Sequence, residues 1–75
     1  MKTNYYELQV YVEGQDYRTI FAYVGTRSNA NRKFRAFLRK NYVSTFLSYN
    51  FRVRTYSSVH SFLAGEVICT TPFFL

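Results

Sequence analysis

The hydrophobic period of this chain changes twice along its length, and that change limits the folds open to it. Between Tyr5 and Glu13, Tyr6, Leu8, Val10 and Val12 alternate with Tyr5, Glu7, Gln9, Tyr11 and Glu13, the period-2 signature of a half-buried strand. Gly14-Gln15-Asp16 supplies turn chemistry, and Tyr17 to Val24 is again rich in β-branched and aromatic residues, so the two stretches read as the arms of a hairpin, the second ended by Gly25-Thr26. The period then lengthens. Over about residues 28 to 42, Ala30, Phe34, Phe37 and Leu38 recur at i, i+4, i+7 and i+8, which predicts an amphipathic helix with Ser28 as its cap. Alternation returns at Phe51, Val53 and Thr55 against Arg52, Arg54 and Tyr56, a third strand.

The segments between and after these are less regular. Val43, Phe46 and Leu47 have helical spacing but rotate off the helix stripe, so Val43 to Asn50 reads as a loop or a short strand packing on the core. Ser57 or Ser58 is placed to cap a short helical turn carrying Val59, Phe62 and Leu63, with Gly65 as its stop. Glu66 to Thr71 reads as a fourth strand that Pro72 prevents from simple extension. The fold class this predicts is α+β: a small two-layer domain spanning residues 1 to 75, an antiparallel sheet of three to four strands in ββαβ(α)β order, with one amphipathic basic helix on one face. Strict alternation then assigns Leu8, Val10, Val12, Ile20, Ala22, Val24, Phe51 and Val53 to the helix side. Tyr5, Tyr11, Tyr17, Phe21, Tyr23, Arg52, Arg54 and Tyr56 fall on the other.

A chain of 75 residues buries only about 60% of the surface its unfolded form exposes. Cys69 and His60 are the only residues of their kinds, so neither an internal disulfide nor an ordinary zinc site is expected, and no cofactor is implied. Stability must come from eight Tyr and eight Phe or from self-association. A reduced, cytoplasmic setting suits such a core. The amino terminus lacks a continuous apolar run, and no stretch of about 20 apolar residues exists to cross a bilayer, so no membrane partner is expected.

From Tyr17 through Gly65 there is no Asp or Glu, yet nine of the ten basic residues lie there, within a formal charge of +6. A field of that sign attracts polyanions before any specific contact forms. The helix concentrates it: Arg27, Arg32, Lys33, Arg35, Arg39 and Lys40 make a face suited to tracking phosphates or entering a major groove. A solvated basic surface is the ordinary alternative for those residues. Asn29 and Asn31 suit either base edges or local capping.

The sheet face opposite the helix offers the second candidate set: Tyr11, Phe21, Tyr23, Arg52, Arg54 and Tyr56, rings interleaved with guanidinium groups. Rings stack on bases at about 1 to 3 kcal/mol each while Arg neutralises phosphate. RNA-recognition domains use a sheet face in this way, but the chain lacks their strand order and their Lys/Arg-Gly-Phe signature, and it has neither a GxxG loop nor an αβββα order. Against ligand stacking stands structural burial: cross-strand tyrosine pairing, cover from residues 43 to 50 or from the apolar tail Pro72-Phe73-Phe74-Leu75, or a second copy of the chain.

Catalysis has little support. Glu7, Glu13, Asp16 and Glu66 are the only carboxylates and nothing in their spacing juxtaposes an acid with a base. A lone Cys69 beside Val67 and Ile68 is far more often a small core residue than half of a dyad with His60, and the three glycines stand isolated. The expectation is a non-enzymatic module binding DNA or RNA through the helix face with the sheet face assisting. The alternative is a protein-interaction module that homodimerises or caps an acidic partner, such as an accessory or inhibitor protein of a phage or mobile element.

Overall fold

The computed structural model describes residues 3–41 and 50–74. Its elements are β1 (Asn4–Val12), β2 (Asp16–Gly25), α1 (Arg27–Asn41), β3 (Phe51–Tyr56), α2 (Val59–Leu63) and β4 (Val67–Phe73). The four strands form one antiparallel sheet in the order β2-β1-β3-β4, with α1 packed on one face. This is the small α+β architecture that the changes of period predict. Tyr42 and residues 43–49, the latter read as loop or short strand, fall outside the described residues.

The two central strands bury both their apolar and, in part, their polar faces. On the helix side, Tyr6, Leu8 and Val10 of β1 join Phe51 and Val53 of β3, Phe73 of β4 and the α1 stripe Ala30, Phe34 and Leu38 in one core. Leu8, Phe34 and Leu38 have no solvent exposure, and each such burial contributes about 1.5 to 3 kcal/mol. The helix rests mainly on β2 and β1, which leaves the β3–β4 half of that face less covered.

Local chemistry explains where elements start and stop. Val12 O accepts from Gln15 N at 2.9 Å to close the hairpin turn, with Gly14 at φ 83° and Asp16 at φ 66°, left-handed values that Gly adopts freely and Asp tolerates. Thr26, and not Ser28, caps α1: its Oγ1 accepts from Asn29 N at 3.4 Å and its carbonyl from Ala30 N at 2.9 Å, so the helix begins earlier than its sequence suggests. Ser58 caps α2 by accepting from Ser61 N at 3.2 Å. At the other end Gly65 N donates to Phe62 O and Glu66 N to Ser61 O, the paired closing bonds of a Schellman motif with Gly65 at φ 75°.

Two departures from the sequence reading have physical causes. Pro72 does not end β4, because β4 is an edge strand and Pro72 pairs with Arg52 without having to supply a ladder donor; Phe73 then pairs with Phe51 and closes the core. The second concerns β2. Leu8 pairs with Phe21 and Gln9 with Thr19, so Ile20 is an extra residue in β2, a β-bulge. Beyond it the alternation is rephased: Phe21 and Tyr23 lie on the helix side and pack against the core, while Ala22 and Val24 turn to the opposite face and are exposed. Only Ile20 of the three β2 residues assigned to the helix side packs there.

Candidate nucleic-acid interface

On the sheet face opposite α1, alternation places Glu7 and Gln9 of β1 between Thr19 of β2 and Arg52, Arg54 and Tyr56 of β3. Their side chains form one network. The Glu7 carboxylate accepts from Thr19 Oγ1 at 2.6 Å, Tyr56 Oη at 2.9 Å and Gln9 Nε2 at 3.3 Å; Gln9 Oε1 in turn accepts from Arg52 Nε at 2.7 Å. Glu7 and Gln9 are each only 6% exposed and Tyr56 only 3%. Burial first, and the hydrogen bond to Glu7 second, raise the Tyr56 phenol above its ordinary value of 10.0, since both disfavour the phenolate.

The rings of this face are engaged with one another. Arg52 Cζ lies 3.7 Å from the centroid of Tyr17, whose edge-to-face partner is Tyr11 at 5.4 Å. Phe62 of α2 stacks on Tyr5 at 4.5 Å and meets Tyr56 edge-on at 5.2 Å. Tyrosines pair across strands at Tyr11–Tyr17 and Tyr5–Tyr56, and Phe62 of α2 packs on the second pair. Tyr11 keeps 41% of its surface exposed. Phe21 and Tyr23 do not belong to this face: the bulge turns them under α1, where Phe21 meets Phe37 at 4.8 Å and Phe34 at 5.8 Å. Arg54 sits across from Glu7, and its Nε is buried without a hydrogen-bond partner among the described residues.

The helix set is arranged differently. Arg27, Arg32, Lys33, Arg35, Arg39 and Lys40 are all exposed, and α1 contains no acidic residue. At 100° per residue Arg32 and Arg39 point away from the buried stripe, Lys33 and Lys40 lie on the β2 flank and Arg35 on the flank above β3 and β4, while Arg27 falls within the arc of the stripe but at the first position of the helix, where it lines the same cleft as Arg35. Arg32 donates to Asn29 Oδ1 along the helix surface. Arg35 Cζ stands 5.6 Å from the Phe73 ring. Asn29 is thereby a local partner on the outer surface, while Asn31 lines a cleft beside α1.

Sequence reasoning passed over Glu7 as a leftover carboxylate, although its i, i+2 partnership with Gln9 opposite two arginines was visible in the alternation. Among the described residues no group of three or more His, Cys, Asp and Glu side chains gathers to hold a metal, and no helix is long and apolar enough to cross a membrane. The chain matches no protein-family model, no curated protein and no solved structure, so a functional reading rests on its own residues.

Proposed function

We propose that the chain is a non-enzymatic module that binds nucleic acid through the outer face of α1. The observation that carries this reading is the exposure of Arg32, Lys33, Arg35, Arg39 and Lys40 on one helix that has no acid of its own. Cations held on a rigid element neutralise phosphates while losing little freedom, and the displaced counterions drive association. Arg54, half-buried across from Glu7, is the remaining cationic candidate on the sheet face. Arg52 and Tyr56 serve that face as structure, because they already donate to Gln9 and Glu7.

Salt titration tests it. With four or five phosphates neutralised, log K for a short duplex should fall against log salt with a slope of about −4, and the double variant Arg32→Glu, Arg39→Glu should flatten the slope and remove most of the affinity. A wild-type chain that fails to retard any oligonucleotide at about 50 mM salt ends this reading.

A second reading, self-association or docking on another protein, draws on a different surface. Leu63 is 75% and Ile68 54% exposed at the junction of α2 and the edge strand β4. Concentration-dependent sedimentation that is abolished by Leu63→Lys would support it.

A further inference from the structure

Because α1 rests on β2 and β1, its other flank overhangs β3 and β4 and encloses a cleft of about 330 Å³. That volume lies at the lower end of the range for small-ligand pockets. Arg27, Asn31 and Arg35 form the upper wall, Thr71 lies on the floor, and Phe73 and Phe74 close the end. The three helix residues are four apart, so they share one line along α1. The two guanidinium groups repeat over about 12 Å of helix axis. Arg35 is steered to the rim by the Phe73 ring at 5.6 Å. Phe74, beyond the end of β4, is 77% exposed, so its ring is accessible to a ligand seated in the cleft.

We propose that this cleft is a subsite for single-stranded nucleic acid, in which the backbone runs along Arg27, Asn31 and Arg35 and an unpaired base stacks on Phe74. The proposal rests on the nucleic-acid reading above and adds the strandedness and a second set of contacts. Two arginines about 12 Å apart along the helix axis can each engage a different phosphate of the same strand. The planar fork of Arg suits phosphate oxygens. Asn31 and the Thr71 hydroxyl between and beneath them offer neutral donors and acceptors to sugar or base edges. A duplex satisfies the outer helix face equally well, but its paired bases cannot reach Phe74, so the cleft discriminates between strand states.

The test uses the whole chain and three labelled probes: an oligodeoxythymidylate of roughly ten nucleotides, the same strand annealed to its complement, and an acidic peptide of equal charge. Phe74→Ala should weaken binding of the single strand about tenfold, the size of one lost stacking contact, with the duplex unchanged. Phe74→Trp should restore it. Asn31→Asp, which sets a carboxylate between the two arginines, should weaken the single strand by at least as much. Circular dichroism and thermal midpoints should be unaltered by Phe74→Ala, given its exposure. If Phe74→Ala and Asn31→Asp bind the single strand like wild type while Arg32→Glu, Arg39→Glu loses it, the cleft proposal is overturned and the helix reading survives. Absence of binding to either nucleic-acid probe overturns both. Tight binding of the acidic peptide, indifferent to Phe74→Ala, overturns the cleft proposal in favour of an acidic protein partner.

Discussion

The Tyr56 hydroxyl donates to Glu7 Oε1 at 2.9 Å across neighbouring strands, and both residues are almost wholly withdrawn from water. Tyr56→Phe keeps the ring contacts with Tyr5 and Phe62 but removes one donor from a buried carboxylate, a loss of about 1 to 3 kcal/mol. Urea denaturation at neutral pH measures it.

The same pair sets an alkaline limit. The folded chain holds the Tyr56 proton more tightly than the unfolded chain, because its phenol is raised above the ordinary value of 10.0. Unfolding above that pH therefore releases a proton, and stability falls as pH rises. The contribution is complete below about pH 10 and is lost as pH passes through the folded value. Wild type should lose its stability advantage over Tyr56→Phe across that window, and a constant difference from pH 8 to 12 (about the span that brackets Tyr ionisation) would refute the assignment.

Arg52 is held by Gln9 Oε1 and by the Tyr17 ring, so it acts on the fold more than on a ligand. Arg52→Ala should cost about 1 to 2 kcal/mol of stability, from a charged hydrogen bond and a cation–π contact, while oligonucleotide affinity changes much less than for Arg32→Glu, Arg39→Glu. Denaturation and anisotropy on the same sample compare the two effects. An affinity loss equal to that of the helix variant would return Arg52 to the binding surface.

Phe34 has no solvent exposure and meets Phe21 and Phe73 edge-on at 5.8 and 6.0 Å. Phe34→Ala should cost about 3 to 5 kcal/mol. A chain of this length has a total stability of about 4 to 11 kcal/mol, so a large unfolded fraction is expected, visible as lost far-ultraviolet ellipticity at 25 °C (the reference temperature of about 298 K for these energies).

Gly65 sits at φ 75°, and open space surrounds the point where a Cβ would stand, with nothing within 4 Å. Gly65→Ala therefore meets no clash, and its only penalty is the left-handed backbone. The expected loss is about 1 kcal/mol, read from the thermal midpoint. A neutral substitution would mean that the α2 closure relaxes without Gly65.

Much of the architecture was legible because it follows from local period. The alternation from Tyr6 to Val12 identified the β1 faces, Ala30, Phe34, Phe37 and Leu38 identified the side of α1 that packs, and Phe51 to Tyr56 matched β3 at both ends. The helix cap moved from Ser28 to Thr26 because two neighbouring hydroxyl residues offer equivalent chemistry and only the path of the chain out of β2 selects one. The candidate sites divided along the same line. The exposed cations of α1 followed from the helical wheel, whereas the sheet set lost Phe21 and Tyr23 and found Arg52 and Tyr56 already engaged.

Period and charge order, both properties of neighbours along the chain, determined by themselves the strands, the helix, the two layers and the acid-free stretch that makes α1 basic. The tertiary structure alone decided which β2 residues face the helix, since the bulge at Ile20 is created by pairing between strands and shifts every later side chain to the other face. It also decided that Glu7 gathers Thr19, Gln9 and Tyr56 and that α1 leaves a cleft over β3 and β4. Those outcomes depend on distances between residues far apart in sequence, which no local pattern encodes.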